Sequence, residues 1–466
     1  LRPGTNVALY QGLAHIILRE NMQADSQWLE TRTENLEPFK AMVQDMTPEV
    51  CSEITTVPIE ILEAAAIHYA SVPSAMAVHG LGMTEHSHGS EGVMALSSLA
   101  LLTGNVGRLG TGINPLRGQN NVQGSCDMGA LPNVYTNYQS VADPENRAAF
   151  SKVWGVEAPA EPGLTYPEML RQVESGNVRS LYLIGSDIAH TDPDNLAVIK
   201  ALSGLDLLIV QDIFMCETAK LAHVILPAAS FLESDGTYTN GERRIQRVRK
   251  AIDPPGQAKQ DWIIVSELAE ALGHPIISSN DVSDIWDELA SLTPNFRGID
   301  YSNLDNSVSV QWPKPTADHP GTSIMHVGEF SRGLGNFAAP EYAEPNEQAS
   351  EEYPFILITG RNLFHYNAGT QTRRTGLSEF RETDLLEMHP VDANAMGISD
   401  GDTVWLASPR NRVEMQVEVT NNVRKGNLFT TFHFPDIGVN TVLSASADGY
   451  THCPEYKVQA VAIEVQ

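Results

Sequence analysis

The stretch Gly112-Ile-Asn-Pro-Leu-Arg-Gly-Gln-Asn-Asn-Val-Gln-Gly-Ser-Cys-Asp-Met-Gly-Ala-Leu-Pro132 overlaps a segment, residues 104–129, in which glycines are interleaved with side-chain amides. Such a segment cannot build a hydrophobic core of its own. It can surround a polar ligand with backbone N–H groups and short amides, because glycine lets the backbone approach closely. A long surface loop is the alternative, although long loops inside compact domains are usually functional. The sequence therefore predicts a ligand-binding loop.

Strands and helices alternate on both sides of this loop, as in an α/β layer. Predicted strands occupy residues 75–79, 180–184, 205–210 and 223–226, and predicted helices occupy residues 91–102 and 195–202. The continuous Leu/Ile/Val runs after the loop, joined by a helical crossover, indicate parallel strands that are buried on both faces. Ligands bind beyond the carboxyl ends of such strands.

Two acidic residues stand at such strand ends. Asp187 follows the strand predicted at 180–184, and Asp212 follows the strand predicted at 205–210. A carboxylate there can accept two hydrogen bonds from a guanine edge or from ribose hydroxyls. A helix N-cap or an ordinary loop acid is the alternative for each of them.

The last part of the chain has the pattern of a β-barrel. Apolar residues at 413, 415, 417 and 419 alternate with polar ones, which is typical of a half-buried strand. Strands are predicted at residues 355–359, 403–407, 413–419 and 428–434. We expect a compact barrel of about 110 residues, which is an ordinary domain size. The Pro-, Gly- and Glu-rich residues before it are predicted to form a linker.

The charge of the chain restricts its partners. The 466 residues contain 58 acidic and 30 basic side chains, for a formal net charge of −28. Nucleic acids and anionic membranes need a basic face, so neither is expected as a partner. No apolar run approaches the length of a bilayer span, so no membrane insertion is expected. The four cysteines are far apart, without a C-x-x-C pair, which favours reduced thiols and a cytoplasmic protein.

The motif quoted above closely resembles that of the large subunit of molybdopterin-containing formate dehydrogenases. Segments that agree with the same family follow one another in order at residues 100–107, 209–215, 223–227, 236–240, 360–362 and 454–457. The resemblance implies an α/β fold with two incomplete Rossmann-like dinucleotide-binding domains and a C-terminal double-psi β-barrel, as in DMSO-reductase-like proteins. Its four segments would be residues 1–119 (the C-terminal part of one dinucleotide domain), 120–231 (half of the other), 232–340 (a mixed segment that contributes to the N-terminal, cluster-binding domain and contains the linker) and 341–466 (the barrel).

The resemblance implies a cofactor that the protein would share with other chains or segments. Members of the family hold molybdenum or tungsten between two molybdopterin guanine dinucleotides, and they carry a 4Fe-4S cluster. The cluster motif and the cysteine or selenocysteine metal ligand have no counterpart in this sequence, which opens with Leu1. We therefore expect the chain alone to be inactive, even if it binds the cofactor. The alternative is that the chain alone binds no cofactor. The expected partners are formate, a cluster-bearing segment or chain and an electron-acceptor subunit. Self-association is a further expectation, because incomplete domains expose apolar surface.

The resemblance also assigns site residues. Arg117 matches the arginine that binds the substrate, and a guanidinium suits that role because its fork matches a carboxylate bidentately. The cofactor-binding positions are Gly185, Asp187, Thr191, Gln211 and Asp212 on the guanosine side, Gly82 and Gln119 on the pterin side, and Arg361, His365, Asn440, Tyr456 and Lys457 in the barrel. Two positions depart from the family pattern, with Glu85 in place of an expected glutamine and Asn6 in place of an expected aspartate.

Two further interpretations remain open on the sequence alone. The pair His86 and His88 could face a metal, but no third ligand is near in the sequence, and hydrogen-bonded loop histidines are the commoner case, so no metal ligand is assigned. The chain could also belong to another pterin oxidoreductase, such as a nitrate reductase, or be a non-catalytic scaffold. The motif around Arg117 argues against the first alternative, and the retained polar positions argue against the second.

Overall fold

The computed structural model describes residues 1–276, 281–306 and 309–465. The chain divides into two compact units. Unit 1 comprises Leu1–Leu116, His190–Leu196 and Ile324–Gln466, and unit 2 comprises Arg117–Ala189 and Ala197–Ser323. The division into four segments implied by the resemblance stays a prediction.

The α-helices, in chain order, are α1 Asn6–Arg19, α2 Ser26–Arg32, α3 Leu36–Val43, α4 Pro48–Thr55, α5 Ile59–Ser71, α6 Leu81–Thr84, α7 Gly89–Leu102, α8 Val122–Asp127, α9 Pro144–Trp154, α10 Tyr166–Glu174, α11 Ile188–Thr191, α12 Asn195–Ser203, α13 Asp261–Ala271, α14 Val282–Leu292, α15 Tyr301–Asn306 and α16 Pro390–Met396. Helix α9 shows how the sequence sets such bounds. Asp143 caps its start through the N–H groups of Glu145 and Asn146, Pro144 stands at the first position, and Gly155 ends it with φ +70°.

The strands are β1 Thr33–Glu34, β2 Met76–His79, β3 Gly112–Pro115, β4 Ser180–Ile184, β5 Leu207–Asp212, β6 Val224–Pro227, β7 Gly236–Thr239, β8 Arg244–Val248, β9 Val310–Gln311, β10 Gly335–Asn336, β11 Phe355–Gly360, β12 Leu385–Met388, β13 Thr403–Ala407, β14 Arg412–Val419, β15 Asn427–Thr431 and β16 Gln459–Val465. The strand predicted at 180–184 is confirmed as β4, and those predicted at 75–79, 205–210 and 223–226 are confirmed within two residues at each end.

The helical part of unit 1 packs around α1. Ile16 and Ile17 of α1 are fully buried, in one core with Phe39 of α3 and Leu62 of α5. Helices α1 and α4 lie very close, since a Cβ on Gly12 would come 2.4 Å from the Cys51 sulfur. The sequence pattern missed α2, α3 and α4, because each is only seven or eight residues long. Helix α1 begins at Asn6, and Thr5 is its N-cap residue.

The barrel of unit 1 is closed, with the strand order β11-β15-β12-β14-β13-β16. Strands β11 and β15 pair in parallel, as do β12 and β14, and the other neighbours are antiparallel. Val413, Met415 and Val417 of β14 point into the barrel core, as their alternation predicts. The predicted barrel is confirmed, although the sequence pattern did not identify β12 and β16.

Unit 2 contains the parallel sheet that the sequence predicts. Its order is β4-β5-β6, and Leu208 and Val210 of β5 are fully buried beneath Leu202 of α12. A second sheet, β7-β8-β9, packs Ile245 against an aromatic core that includes Trp286 and Phe296. The α/β class is thus confirmed.

The segment 104–129 is more ordered than a simple loop. It contains strand β3, which pairs in parallel with β2 from Met76↔Gly112 to His79↔Pro115, and helix α8. The interpretation of the whole segment as a loop is therefore wrong, because its short elements gain their stability from tertiary contacts that a local pattern does not show.

All four cysteines are free thiols. Among the described residues, no helix combines the length and the apolar character needed to cross a membrane.

Candidate cofactor and substrate sites

Arg117 is exposed and lies two residues after the end of β3. Its Nε–H donates to Gln123 Oε1 at 3.1 Å, and its side-chain stem lies beside Gly241, where a Cβ would stand 3.6 Å from Arg117 Cγ. Within the part of the chain that the structure describes, its Nη nitrogens donate no hydrogen bond. The terminal edge of the guanidinium can therefore take a carboxylate in a bidentate manner.

Gln123 and Asp127 are polar partners that the sequence analysis did not assign. They lie four residues apart on α8, and Gln123 Nε2 donates to Asp127 Oδ1 at 2.7 Å. The spacing of one helical turn could have indicated the pair. It went unrecognised because the segment was interpreted as a loop. Gln119, in contrast, is half-buried just before α8, and its carbonyl accepts the Val122 N–H at 3.4 Å.

The carboxyl edge of the parallel sheet in unit 2 carries Gly185 and Gln211. The register Ile184↔Gln211 puts them side by side, and the Gly185 N–H donates to the Gln211 carbonyl at 2.8 Å. Gly185 has φ +61°, and no atom lies within 4 Å of the position of a Cβ there, so the surface above it is open. Gly185 therefore allows the positive φ that the turn requires, and its lack of a side chain leaves the sheet edge accessible.

The Gln211 side chain faces the interior. It is 0% exposed, its Oε1 accepts the Tyr182 hydroxyl, and its Nε2 donates to Asp261 Oδ1 at 2.7 Å. Burial raises the pKa of Asp261. Both amide atoms of Gln211 thus have protein partners, and its assignment as a cofactor contact stays a prediction.

The two acidic residues at this edge bind neighbouring backbone. Asp187 Oδ1 accepts the Thr218 N–H at 2.8 Å and the Thr218 hydroxyl at 2.9 Å, and Asp212 Oδ1 accepts the Phe214 N–H at 3.0 Å. Burial, followed by the charge of Asp187, raises the pKa of Asp212. Both carboxylates therefore order the turns after β4 and β5, and their role in holding guanosine stays a prediction.

In unit 1, Thr191 joins two of the barrel residues. Its carbonyl accepts Asn440 Nδ2 at 2.6 Å and the Tyr456 hydroxyl at 3.2 Å. Asn440 is 1% exposed, and its Oδ1 has no hydrogen-bond partner among the described residues. Three predicted site residues are thus brought together around one buried acceptor that a polar ligand can satisfy.

The loop after β11 contains Arg361 and His365. Arg361 is exposed, donates from Nη2 to Asn367 Oδ1 at 3.0 Å and lies over the Phe432 ring. His365 is buried, with Nδ1 3.0 Å from the Thr372 hydroxyl and Nε2 2.9 Å from the Arg381 carbonyl. Arg361 is therefore available to an anion, whereas both His365 nitrogens have protein partners.

Between these two residues, Asn362 provides a feature that the sequence analysis missed. Its Oδ1 accepts the N–H groups of Phe364 and His365, but its Nδ2 is buried without a partner among the described residues. An unpaired buried donor is costly, so Asn362 Nδ2 is a further candidate ligand contact.

Lys457 does not present a free charge. Its Nζ lies 2.9 Å from Glu85 Oε2 and donates to the Thr359 carbonyl at 2.7 Å. Glu85, which replaces the expected glutamine, therefore neutralises the lysine. A Cβ added to Gly82, in α6, would have no atom within 4 Å, so the space beside this glycine is open.

His86 and His88 lie in the turn between α6 and α7 rather than on a strand. His86 Nε2 is 3.0 Å from the Gly82 carbonyl, and its Nδ1 is 3.0 Å from Glu455 Oε1. Among the described residues, no group of three or more His, Cys, Asp or Glu side chains could hold a metal ion.

Two family models match the chain. The model described as molybdopterin oxidoreductase matches residues 1–271, and the one described as molydopterin dinucleotide binding domain matches residues 355–460. The second match covers most of the closed barrel.

Two curated relatives and one solved structure extend this similarity. The chain is 44% identical to the F420-dependent formate dehydrogenase subunit alpha of Methanocaldococcus jannaschii, over 99% of this chain and 68% of the relative. It is 38% identical to formate dehydrogenase H of Escherichia coli, over 100% of this chain and 66% of the relative. The structure of acetylene hydratase from Pelobacter acetylenicus superposes with a TM-score of 0.77 at 17% identity, covering 100% of this chain and 71% of that one, which shows the shared fold.

Proposed function

Because this chain belongs to the molybdopterin oxidoreductase family, we propose that it forms part of the catalytic subunit of a formate dehydrogenase. The proposed reaction converts formate to CO2, one proton and two electrons. The 44% identity to a formate dehydrogenase alpha subunit over 99% of the chain supports this assignment. A cluster-bearing polypeptide segment and an electron-acceptor subunit are the proposed partners.

The residues of unit 1 fit a pterin guanine dinucleotide. Buried Asn440 Oδ1 and Asn362 Nδ2 lack protein partners in the described chain, and they offer one acceptor and one donor. Arg361 adds an exposed guanidinium, which suits a phosphate. Gly82 leaves room for a ligand to approach the backbone. A scaffold without a cofactor would have no use for unpaired buried amides, so these atoms also argue against that alternative.

The residues of unit 2 fit the guanosine side in part. Gly185 opens the carboxyl edge of the sheet, where ligands of α/β folds bind. Asp187 and Asp212 stand at that edge with one oxygen of each bonded to backbone N–H groups. We propose that they contact guanosine, with Gln211 supporting the edge from the interior.

Arg117 carries the substrate part of the proposal. The carboxylate is the only group of formate to which a protein can hydrogen-bond. The terminal nitrogens of Arg117 are available to bind it, since only Nε donates to Gln123. The pairing neutralises formate and orients its C–H bond. Molybdenum or tungsten held by the dinucleotides would supply the two-electron acceptor. The role of the chain itself is to bind and orient the anion.

The first experiment is metal and pterin analysis, with intact mass, on protein purified anaerobically from its native source. We expect molybdenum or tungsten with two pterin dinucleotides per chain, a second polypeptide that carries the cluster, and formate-dependent reduction of a viologen dye by this assembly. Metal and pterin without formate oxidation would refute the substrate assignment. A preparation that reduces the dye from formate but holds neither metal nor pterin would refute the cofactor assignment.

A substitution tests Arg117 itself. Arg117→Lys keeps the charge but removes the fork, so one charge-assisted hydrogen bond of about 1.5–3 kcal/mol is lost. The KM for formate should then rise about 10- to 150-fold. Arg147→Lys, on α9 of the same unit, is the matched control and should leave KM unchanged. An unchanged KM in Arg117→Lys would refute the assigned role.

A further inference from the structure

Helix α8 connects the exposed guanidinium of Arg117 to a buried carboxylate. Gln123 accepts from Arg117 Nε at 3.1 Å through Oε1 and donates to Asp127 Oδ1 at 2.7 Å through Nε2. The orientation of the amide is thereby fixed, because the reverse would place the NH2 group against the guanidinium, donor to donor.

Asp127 is the anchor of this connection. It is 0% exposed, and besides Gln123 it accepts the Tyr138 hydroxyl at 3.0 Å and Trp312 Nε1–H at 2.8 Å. Burial and the charge of Asp127 raise the pKa of Tyr138 to about 12, so that its hydroxyl remains a donor at physiological pH. Three donors from three parts of unit 2 thus hold one carboxylate in place.

The start of α8 is fixed independently. Asn121 adopts φ +61°, and its Oδ1 accepts the Thr239 N–H of β7 at 2.9 Å. A Cβ on Gly124 would lie 2.0 Å from that same Oδ1, so only glycine leaves room for the contact. The glycine and the asparagine of the motif therefore lock the helix that presents Gln123.

We propose that Gln123 and Asp127 are positioning residues, which hold the Arg117 guanidinium so that its terminal edge faces the substrate. This inference rests on the proposed function, in which Arg117 binds the formate carboxylate. Neither residue touches the substrate in this scheme. They act through Arg117.

The amide of Gln123 lies between Asp127 and Arg117, so the carboxylate does not occupy the edge of the guanidinium that would bind the substrate. A direct Arg–Asp pair would be bidentate and would occupy the fork that an anion needs. With Gln123 between them, Asp127 attracts the guanidinium from a distance, while only Nε is consumed. Loss of the amide would leave Arg117 with the rotamer freedom of a long exposed side chain. Formate binding would then have to order that side chain, at a cost in conformational entropy.

The contact can be tested without any activity measurement. In this chain labelled with ¹⁵N-arginine, the solvent exchange of the Arg117 Nε–H is measured by NMR, with Arg117→Lys to assign the signal. Gln123→Met should accelerate that exchange about fivefold, the equivalent of one ordinary hydrogen bond. The matched control is Gln172→Met, since Gln172 accepts from Asn177 instead. Equal exchange in wild type and Gln123→Met would overturn the proposal.

The functional consequence is tested in protein purified from its native source. Gln123→Met should raise the KM for formate about fivefold or more, while kcat at saturating formate and the metal and pterin content stay near wild type. A purely structural role would lower content or kcat and leave KM unchanged, which would overturn the proposal. Tyr138→Phe removes the hydroxyl that donates to Asp127 and accepts from Gln123 Nε2 at 3.3 Å, but it leaves the Arg117–Gln123 and Gln123–Asp127 contacts in place. It should give a smaller rise in KM and serves as the readout if Gln123→Met does not fold.

The proposed function and the positioning role of Gln123 can fail separately. If wild type holds the cofactor but does not oxidise formate, the proposed function fails while the NMR result still reports whether Gln123 restrains Arg117. If wild type oxidises formate and Gln123→Met leaves both KM and exchange unchanged, the positioning role alone fails.

Discussion

Asp384 is a buried carboxylate that holds the chain after β15 through three hydrogen bonds. It is 1% exposed. Its Oδ1 accepts the Thr431 hydroxyl and the His433 N–H, and its Oδ2 accepts the Phe434 N–H at 2.9 Å. His433 in turn donates from Nδ1 to the Asn367 carbonyl at 2.8 Å, so the carboxylate supports the loop that contains Arg361.

Asp384→Asn conserves the shape of the side chain but changes one bond. The amide oxygen can retain the two Oδ1 contacts, whereas the NH2 group faces the Phe434 N–H, donor to donor. One buried N–H is then unsatisfied, at a cost of about 1–3 kcal/mol. The amide hydrogens of His433 and Phe434 should therefore exchange about 5- to 150-fold faster at pH 7, measured by hydrogen–deuterium exchange of the peptide that contains them.

Asp436→Asn is the control, because Asp436 is exposed two residues beyond Phe434. It should leave the exchange of this peptide unchanged. Equal protection in wild type and Asp384→Asn would show that the carboxylate does not hold the loop.

The pH dependence of the same protection has a definite sign. Burial raises the pKa of Asp384 above its ordinary value of 3.8, so in the window between the two values the folded chain binds a proton more readily than the unfolded chain. The stability contributed by this group is fully present below 3.8 and is lost as the pH rises through the folded pKa. Wild type should lose protection across that window, and Asp384→Asn should lack this component.

Two other predictions concern single contacts. Glu85→Gln should destabilise the chain by about 1–3 kcal/mol, because it leaves the partly buried Lys457 ammonium without its counter-charge. In a double-mutant cycle followed by urea unfolding, adding Lys457→Met should recover much of that loss. Additive losses would refute the pairing. Gly124→Ala should displace Asn121 from the Thr239 N–H and cost about 1–3 kcal/mol in the same assay, and an unchanged unfolding midpoint would show that the close approach is not needed.

The sequence determined those features whose physical cause is local. The apolar run of β4 and the alternation along β14 each indicate a strand, because side-chain direction repeats every two residues wherever the neighbours come from. The motif around Arg117 indicated the family through a resemblance carried by residues adjacent in the chain, and the substrate-binding role of Arg117 stays a prediction. Shorter elements, such as α3 and β12, carry too few residues for a period to be visible.

Only the tertiary structure decided what the site residues bind. Glu85 meets Lys457, and Asp127 meets Trp312, across long separations in sequence that no local pattern encodes. The same holds for β12, which becomes a strand by pairing with β14 and β15 when the barrel closes. The physical reason is common to all of these cases. A buried polar group must find its partner wherever the chain brings one, and that choice is made by packing and not by sequence proximity.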